Sequence, residues 1–243
     1  ELSDQMLKFM SDNQVDTRYI TTVAGSTIGL YLISLVDGER TFSYWRNKSA
    51  ATFLGQNVDD VGNAMKKQDM IYFSGITLAI LDQNSRKNLF SCLKSARRAG
   101  KKIAFDPNLR PKLWNDKKEM CDVIMAGANL SDIILPSFED EATWFSDADP
   151  MSTLARYQNV GAETVVVKNA GDPVSFWSQH GTGTYLVESV EKIIDSTAAG
   201  DSFNAEILVG LLREIPLADA INNAANLAKK VLMGQGALVK ISI

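Results

Sequence analysis

The sequence predicts an α/β fold carrying a small β appendage, and three observations predict it. From Met70 onward, short apolar runs alternate with segments whose apolar residues recur at helical spacing. The run Thr164-Val165-Val166-Val167 is β-branched throughout, as suits a strand covered on both faces of a parallel sheet. Ahead of that alternation, strand-like runs at 19–23, 29–36 and 40–45 follow one another with no helix between them, which is the pattern of a small antiparallel unit.

Composition narrows the function. The 243 residues suit one α/β domain, and an apolar content of 45% supplies a sizeable core. A net charge of −4, from 25 basic and 29 acidic residues, argues against a nucleic-acid surface and fits a protein that handles small molecules. Cys92 and Cys121 have neither metal-site spacing nor a disulfide framework, so a reducing cytoplasm is the expected compartment. The only histidine, His180, lies in a polar turn, and one His with two Cys argues against a zinc site. No run is long and apolar enough to span a membrane, and no signal-peptide pattern opens the chain.

Taken in order, Leu2, Met6, Leu7, Phe9 and Met10 recur at helical spacing, so the chain opens with a helix. The three strand-like runs come next, with Asp37-Gly38 as a hairpin turn, since a type I′ turn needs positive φ. Within 41–47, Tyr44 and Arg46 fall on one face of a strand and Trp45 on the other. Residues 70–73 read as a buried strand and 84–99 as a helix with Leu89, Phe90, Leu93 and Ala96 inward. The positive run Lys94, Arg97, Arg98, Lys101 and Lys102 reads as a solvated helix end. Residues 103–105 form the next strand, ending in Asp106-Pro107-Asn108-Leu109-Arg110-Pro111. Its prolines set a loop at the strand's C-terminal end, where doubly wound sheets bind ligands. A helix at 117–128, a strand at 132–135 and a helix opened by Ser137 as its cap follow. A helix at 151–160 precedes the 164–167 strand, and a hairpin of 174–177 with 184–187 is expected, with Gly181 and Gly183 in its turn. Helices at 204–213 and 217–233 end the chain.

The stretch 195–205, Asp-Ser-Thr-Ala-Ala-Gly-Asp-Ser-Phe-Asn-Ala, carries the chemistry. Ile193-Ile194 runs into it and an apolar-periodic segment runs out, so it reads as strand, small-residue turn, helix. A turn of Ala198-Ala199-Gly200 lets backbone N–H groups approach a ligand. The helix start adds unpaired donors and the positive end of the dipole, which together make a phosphate site. Asp201 either caps that helix or takes a proton from a hydroxyl that attacks the phosphate.

This eleven-residue string resembles the C-terminal signature of the ribokinase-type (PfkB) carbohydrate kinase family. The Thr-Ala-Ala variant, with the Tyr44-Trp45-Arg46 segment and Arg110, is most similar to its 2-keto-3-deoxygluconate kinase branch. The resemblance implies a ribokinase-like three-layer α/β/α sandwich over 1–243, with 18–47 in a β-sheet lid that covers the sugar and pairs subunits into a homo-oligomer. It implies that an N-terminal strand and a Gly-Gly-x-x-x-Asn segment of the family domain are missing from this chain. The implied reaction is Mg2+-assisted phosphoryl transfer from ATP to the primary hydroxyl of a sugar acid. A neutral-sugar kinase and a non-catalytic sugar-binding module are the alternatives.

The same resemblance implies the roles. Asp201 is the base, and the N–H groups of Ala198, Ala199, Gly200 and Asp201 hold the developing charge. Tyr31, Tyr44, Arg46, Ile76 and Arg110 bind the substrate, with Arg46 suited to pair two N–H groups with a carboxylate. Asn108, Ser137, Lys168, Asn169, Ala170, Gly171 and Asn226 line the nucleotide, together with the Ala198–Gly200 turn. Asp195 orients the loop. The family's Asn-x-x-Glu is replaced by Ser137 and Asp140, no protein metal ligand is assigned, and Glu206 stands where relatives usually have Gly.

Overall fold

The computed structural model describes residues 1–36 and 39–241, and of 33–36 and 39–42 the backbone alone. The expected Asp37-Gly38 turn lies outside the described residues. The chain opens with α1 (Leu2–Asp12), which buries none of its residues. The hairpin follows, β1 (Leu30–Val36) and β2 (Glu39–Trp45), in antiparallel register from Leu30 opposite Trp45 to Val36 opposite Glu39.

The expected third strand of this unit is absent among the described residues: the small sheet has two strands. Residues 19–23 are irregular. They share the lining of a cavity of about 540 Å3 with Met6 and Leu7 of α1 and with residues 26–29, 50–51 and 53–57. A β-branched run suits a strand, but a strand also needs a neighbour's N–H and C=O groups to pair with.

A 3-10 turn (Ala50–Phe53) leads to α2 (Val58–Lys66), β3 (Met70–Ser74), α3 (Gly75–Ile80), α4 (Gln83–Arg98) and β4 (Lys102–Asp106). A second such turn (Pro111–Leu113) precedes α5 (Lys117–Ala128), β5 (Ile133–Ile134), α6 (Phe138–Phe145), α7 (Pro150–Asn159) and β6 (Thr164–Val167). The chain closes with β7 (Val174–Ser178), β8 (Gly181–Tyr185), α8 (Ala199–Leu212) and α9 (Leu217–Leu232). The six main strands lie in sequence order, β3 to β6 parallel, with β7 and β8 added antiparallel.

Because side chains alternate across a strand, the sheet divides its apolar residues between two cores. Ile103 and Phe105, Ile134, Val165 and Val167 face a core completed by α2, α4, α5 and α7. Ala104, Ile133, Leu135 and Val166 face a second core completed by Phe203 and Ile207 of α8 and Ile221 and Ala224 of α9. The result is three layers, helices on both faces of one sheet, as expected.

Three local expectations are corrected. Residues 193–194 are not a strand; the N–H groups of Ile194 and Asp195 donate to the carbonyl of Leu232 at the end of α9, at 2.8 and 3.2 Å. Gly181 and Gly183 lie in β8, and the turn is Gln179-His180. The positive run is not merely solvated. Arg97 Nε donates to Asp132 Oδ1 at 2.8 Å, Asp132 Oδ2 accepts the Ile103 N–H at 2.8 Å, and Lys102 pairs with Glu163 at 2.6 Å. These contacts fix α4 and β4 to the start of β5 and the turn before β6.

Candidate active site

Helix starts sort into two kinds. Those of α2, α4, α5 and α7 are capped by Asn57, Asp82, Asp116 and Asp149, whose side chains accept a first-turn N–H. Glu1, Ser74 and Pro216 before α1, α3 and α9, and likewise Ser137 before α6 and Ala198 before α8, occupy the cap position without any such bond. The expected Ser137 cap is therefore positional only. Ser137 instead bridges Lys168, with Phe138 N–H on the Lys168 carbonyl at 2.8 Å and Lys168 N–H on the Pro136 carbonyl at 2.9 Å.

The start of α8 is shaped by the turn before it. Asp195 Oδ1 accepts the Thr197 N–H at 2.8 Å, and Oδ2 accepts the Gly236 N–H at 3.1 Å. Ala198 takes the left-handed conformation (φ 63°), which swings the chain into the helix. Ala199 N–H reaches the Ser196 carbonyl at 3.4 Å, and the N–H groups of Gly200 and Asp201 have no acceptor among the described residues. A Cβ built on Gly200 meets nothing within 4 Å, so the side of the turn at Gly200 is open. Asp201 is exposed, lies in the first helical turn, and makes no hydrogen bond or ion pair among the described residues. It does not cap the helix. Unpaired donors at the positive end of a helix fit a phosphate group.

Beneath Asp201 lies a polar cluster centred on the buried Asn204 and Asp106, with Tyr72 at its exposed edge. Asn204 Nδ2 donates to Asp106 Oδ2 at 2.9 Å and to the Tyr72 hydroxyl at 3.4 Å, while its Oδ1 accepts from Lys168 Nζ at 2.9 Å. Lys168 Nζ also stands 3.6 Å from Asp106 Oδ1. Burial, followed by the nearby Asp106 charge, pushes the Tyr72 hydroxyl well above its usual value; Asp201 adds in the same direction. The cluster joins the middle of β3 and the C-terminal ends of β4 and β6 to α8.

The loop after β4 carries Asn108 and Arg110, both left-handed at φ 33° and 46°. Leu109 between them is fully buried, and its carbonyl accepts the Trp114 indole N–H at 2.7 Å. The Arg86 guanidinium, 5.5 Å from the Trp114 ring centre and 2.9 Å from Glu119 Oε1, backs that contact. Arg110 is exposed and faces Asp140 of α6. Burial raises the Asp140 carboxyl, while the Arg110 charge and the Leu109 N–H pull it down. Ile76, half-buried in the first turn of α3, follows Gly75, which abuts Pro107 of the same loop.

On the hairpin, Tyr31 and Tyr44 are cross-strand partners with ring centres 6.3 Å apart. The Arg46 guanidinium lies 4.3 Å from the Tyr44 ring centre. These three form one cluster, while Leu30, Leu32 and Trp45, the last 62% exposed, alternate to the other face. Of the expected nucleotide-lining residues, 168–171 form one turn with Ala170 left-handed (φ 47°) and Gly171 open. Asn226 is exposed on α9, its amide donating to Asn222 at 3.3 Å. The Lys168 ammonium is occupied by Asn204 and Asp106, which leaves its backbone to that turn.

Sequence reasoning missed Asn204, Tyr72 and the fully buried Glu141. Arg156 Nη2 bonds Glu141 Oε2 and Asp147 Oδ2, both at 2.6 Å, and the Tyr157 hydroxyl donates to Glu141 Oε1 at 3.0 Å. A Glu in the first turn of a helix reads as a solvated charge, so only its facing partners reveal it. Glu206 is half-buried with no hydrogen bond or ion pair among the described residues.

A largely parallel sheet, candidate residues at the C-terminal ends of its strands, and an exposed carboxylate beside uncapped helix donors fit a phosphoryl-transfer enzyme. The sequence pattern of the pfkB family carbohydrate kinases matches residues 1–241. The chain belongs to that family, and it is an ATP-dependent carbohydrate kinase, a phosphotransferase with an alcohol group as acceptor. It is 37% identical over 248 residues to the 2-dehydro-3-deoxygluconokinase of Haemophilus influenzae, covering 100% of this chain and 79% of that protein. The enzyme of the same name from Escherichia coli K12 is 36% identical over 244 residues, covering 98% and 79%. Among solved structures, a PfkB protein from Polaromonas superimposes with a TM-score of 0.83 at 24% identity, covering 95% of this chain and 76% of that one. The 2-dehydro-3-deoxygluconokinase of Thermotoga maritima does so with a TM-score of 0.80 at 21% identity, covering 98% and 77%. The fold is ribokinase-like.

Proposed function

We propose that the enzyme phosphorylates the primary hydroxyl of 2-keto-3-deoxygluconate, giving the 6-phosphate. The observation that carries this reading is the Tyr31–Tyr44–Arg46 cluster, in a chain 36–37% identical to two 2-dehydro-3-deoxygluconokinases. A guanidinium held against a tyrosine ring presents a planar pair of donors that a carboxylate matches and a neutral sugar does not need.

In this reading Tyr31, Tyr44, Arg46, Ile76 and Arg110 hold the sugar acid. Asp201 accepts the proton of the attacking hydroxyl. The N–H groups of Ala198, Ala199, Gly200 and Asp201 stabilise the charge that develops on the phosphate oxygens. Asn108, Ser137, Asn226 and the turn of Lys168, Asn169, Ala170 and Gly171 line the nucleotide. When bound, ATP supplies the phosphoryl group and Mg2+ neutralises its oxygens. Asp140, beside Ser137 at the start of α6, is the carboxylate placed to meet a hydrated cation. The exposed Leu30, Leu32 and Trp45 face of the hairpin pairs two copies of the chain, and the cytoplasm is the compartment.

The test is ADP release by the full-length protein with Mg-ATP and 2-keto-3-deoxygluconate, ribose, fructose or adenosine. A strong preference for the sugar acid is expected. Preference for a neutral substrate removes the carboxylate-binding role of Arg46, and sugar binding without turnover replaces the kinase reading by a binding module.

A further inference from the structure

We propose that Asn204 is a positioning residue for phosphoryl transfer. It bridges Asp106 and Lys168 beneath α8, and so sets the height and roll at which that helix presents Asp201. The inference rests on the reading of Asp201 as the base.

The geometry carries it. Asn204 is 1% exposed and spends both amide donors and one acceptor on three partners, from the middle of β3 and the ends of β4 and β6. It follows Asp201 by three residues, one turn along the same side of the helix. The remaining buried contacts of α8 with the sheet, through Phe203 and Ile207, are apolar. Apolar contact is non-directional and leaves sliding and rotation weakly opposed. The amide bonds are directional, so they fix what packing leaves free.

The chemistry at 204 is also narrow. The Lys168 ammonium and the Asp106 carboxylate stand 3.6 Å apart, beyond a good hydrogen bond. An amide between them accepts from the ammonium and donates to the carboxylate, both below 3 Å. Hydrocarbon of the same shape fills the space and does neither, and a carboxylate accepts from Lys168 but has nothing to donate to Asp106. A protonated carboxyl again does both.

The test uses full-length Asn204→Leu, Asn204→Asp and Asp201→Asn beside wild type, with kcat and both KM values measured across pH and the folded fraction measured in parallel. Asn204→Leu is expected to lower kcat per folded molecule by about 10²-fold, the cost of a ~1 Å misplacement, with both KM values unchanged. The Asn204→Asp to wild-type kcat ratio is expected to climb as pH falls toward the carboxyl range, while the Asn204→Leu ratio stays flat. The titratable groups facing position 204 are Tyr72, Asp106, Lys168 and Asp201, and a carboxylate at 204 titrates as one set with Asp106 and Lys168. Wild-type kcat in Asn204→Leu overturns the proposal, as does an Asn204→Asp ratio that does not rise. If Asn204→Leu does not fold, the Asn204→Asp profile decides alone. Near-normal kcat in Asp201→Asn overturns the reading of Asp201 instead.

Discussion

Gly75→Ala measures how tightly the sheet holds the loop that carries Arg110. A Cβ on Gly75 would stand 1.7 Å from the Pro107 carbonyl oxygen, 2.9 Å from its carbon and 2.6 Å from Ile124 Cδ1. The Ile124 methyl can rotate away; the carbonyl belongs to the backbone and cannot. Bringing the oxygen contact from 1.7 Å to the 3.0 Å below which real Cβ contacts are essentially never found takes a displacement of at least 1.3 Å. Pro107 is three residues before Arg110, and Leu109 is clamped by Trp114, so the strain passes into the left-handed pair at 108 and 110. Overpacking of this kind costs about 1–3 kcal/mol, and each kcal/mol lowers Tm by roughly 2–4 °C in a domain of this size. A shift of about 1 Å at a positioning group costs on the order of 10²-fold in rate. Thermal melting and steady-state kinetics read the two effects separately. Gly62→Ala is the control: its Cβ meets nothing within 4 Å inside α2, so it should stabilise by about 0.5–1 kcal/mol. Wild-type Tm and kcat in Gly75→Ala would refute the argument.

Three further outcomes are expected. Asp201→Asn should keep ATP binding and lower kcat by about 10²–10⁴-fold, the usual worth of a general base; titration of the nucleotide beside turnover checks it. Arg46→Ala should raise KM for the sugar acid by roughly 10–100-fold, as for a lost charged hydrogen bond, with no change for fructose. Glu141→Gln should change the pH dependence of stability. Burial pushes the Glu141 carboxyl from 4.5 up to about 7, against the pull of Arg156 and Tyr157, while Asp147 helps keep Arg156 charged. A raised carboxyl favours the protonated folded state. Its contribution is therefore full below pH 4.5 and is lost as pH climbs through about 7. The unfolding free energy of wild type minus that of Glu141→Gln should fall by about 3 kcal/mol across that window in urea titrations; a flat difference would contradict it.

What the sequence revealed follows the range of the interactions concerned. Helix α5 and strand β6 have the limits read from pattern alone, because periodicity and a wholly β-branched run are local signals. The common face of Tyr44 and Arg46 was legible for the same reason, and the hairpin register then supplies Tyr31. Residues 19–23 and 193–194 misled because strand composition does not say whether a partner strand is present. The Asn204 bridge was invisible because its partners lie 36, 98 and 132 residues away. Asp201 offered two readings from sequence; the uncapped start of α8 decides against the cap, since Ala198 holds that position.

The division of each central strand between two cores has a consequence for how substitutions would be tolerated. On β4, Ile103 and Phe105 belong to the core on the side of α2, α4, α5 and α7, whereas Ala104 belongs to the core on the side of α8, the helix proposed to carry the base. Damage at 103 or 105 is therefore felt as lost fold, and abundance falls with activity. Enlarging Ala104 presses on the α8 side and is felt first as lost turnover per molecule. A saturation library scored once for abundance and once for kinase activity would separate along β4, β5 and β6 with a period of two residues, so that neighbouring positions in the chain behave as members of different functional classes.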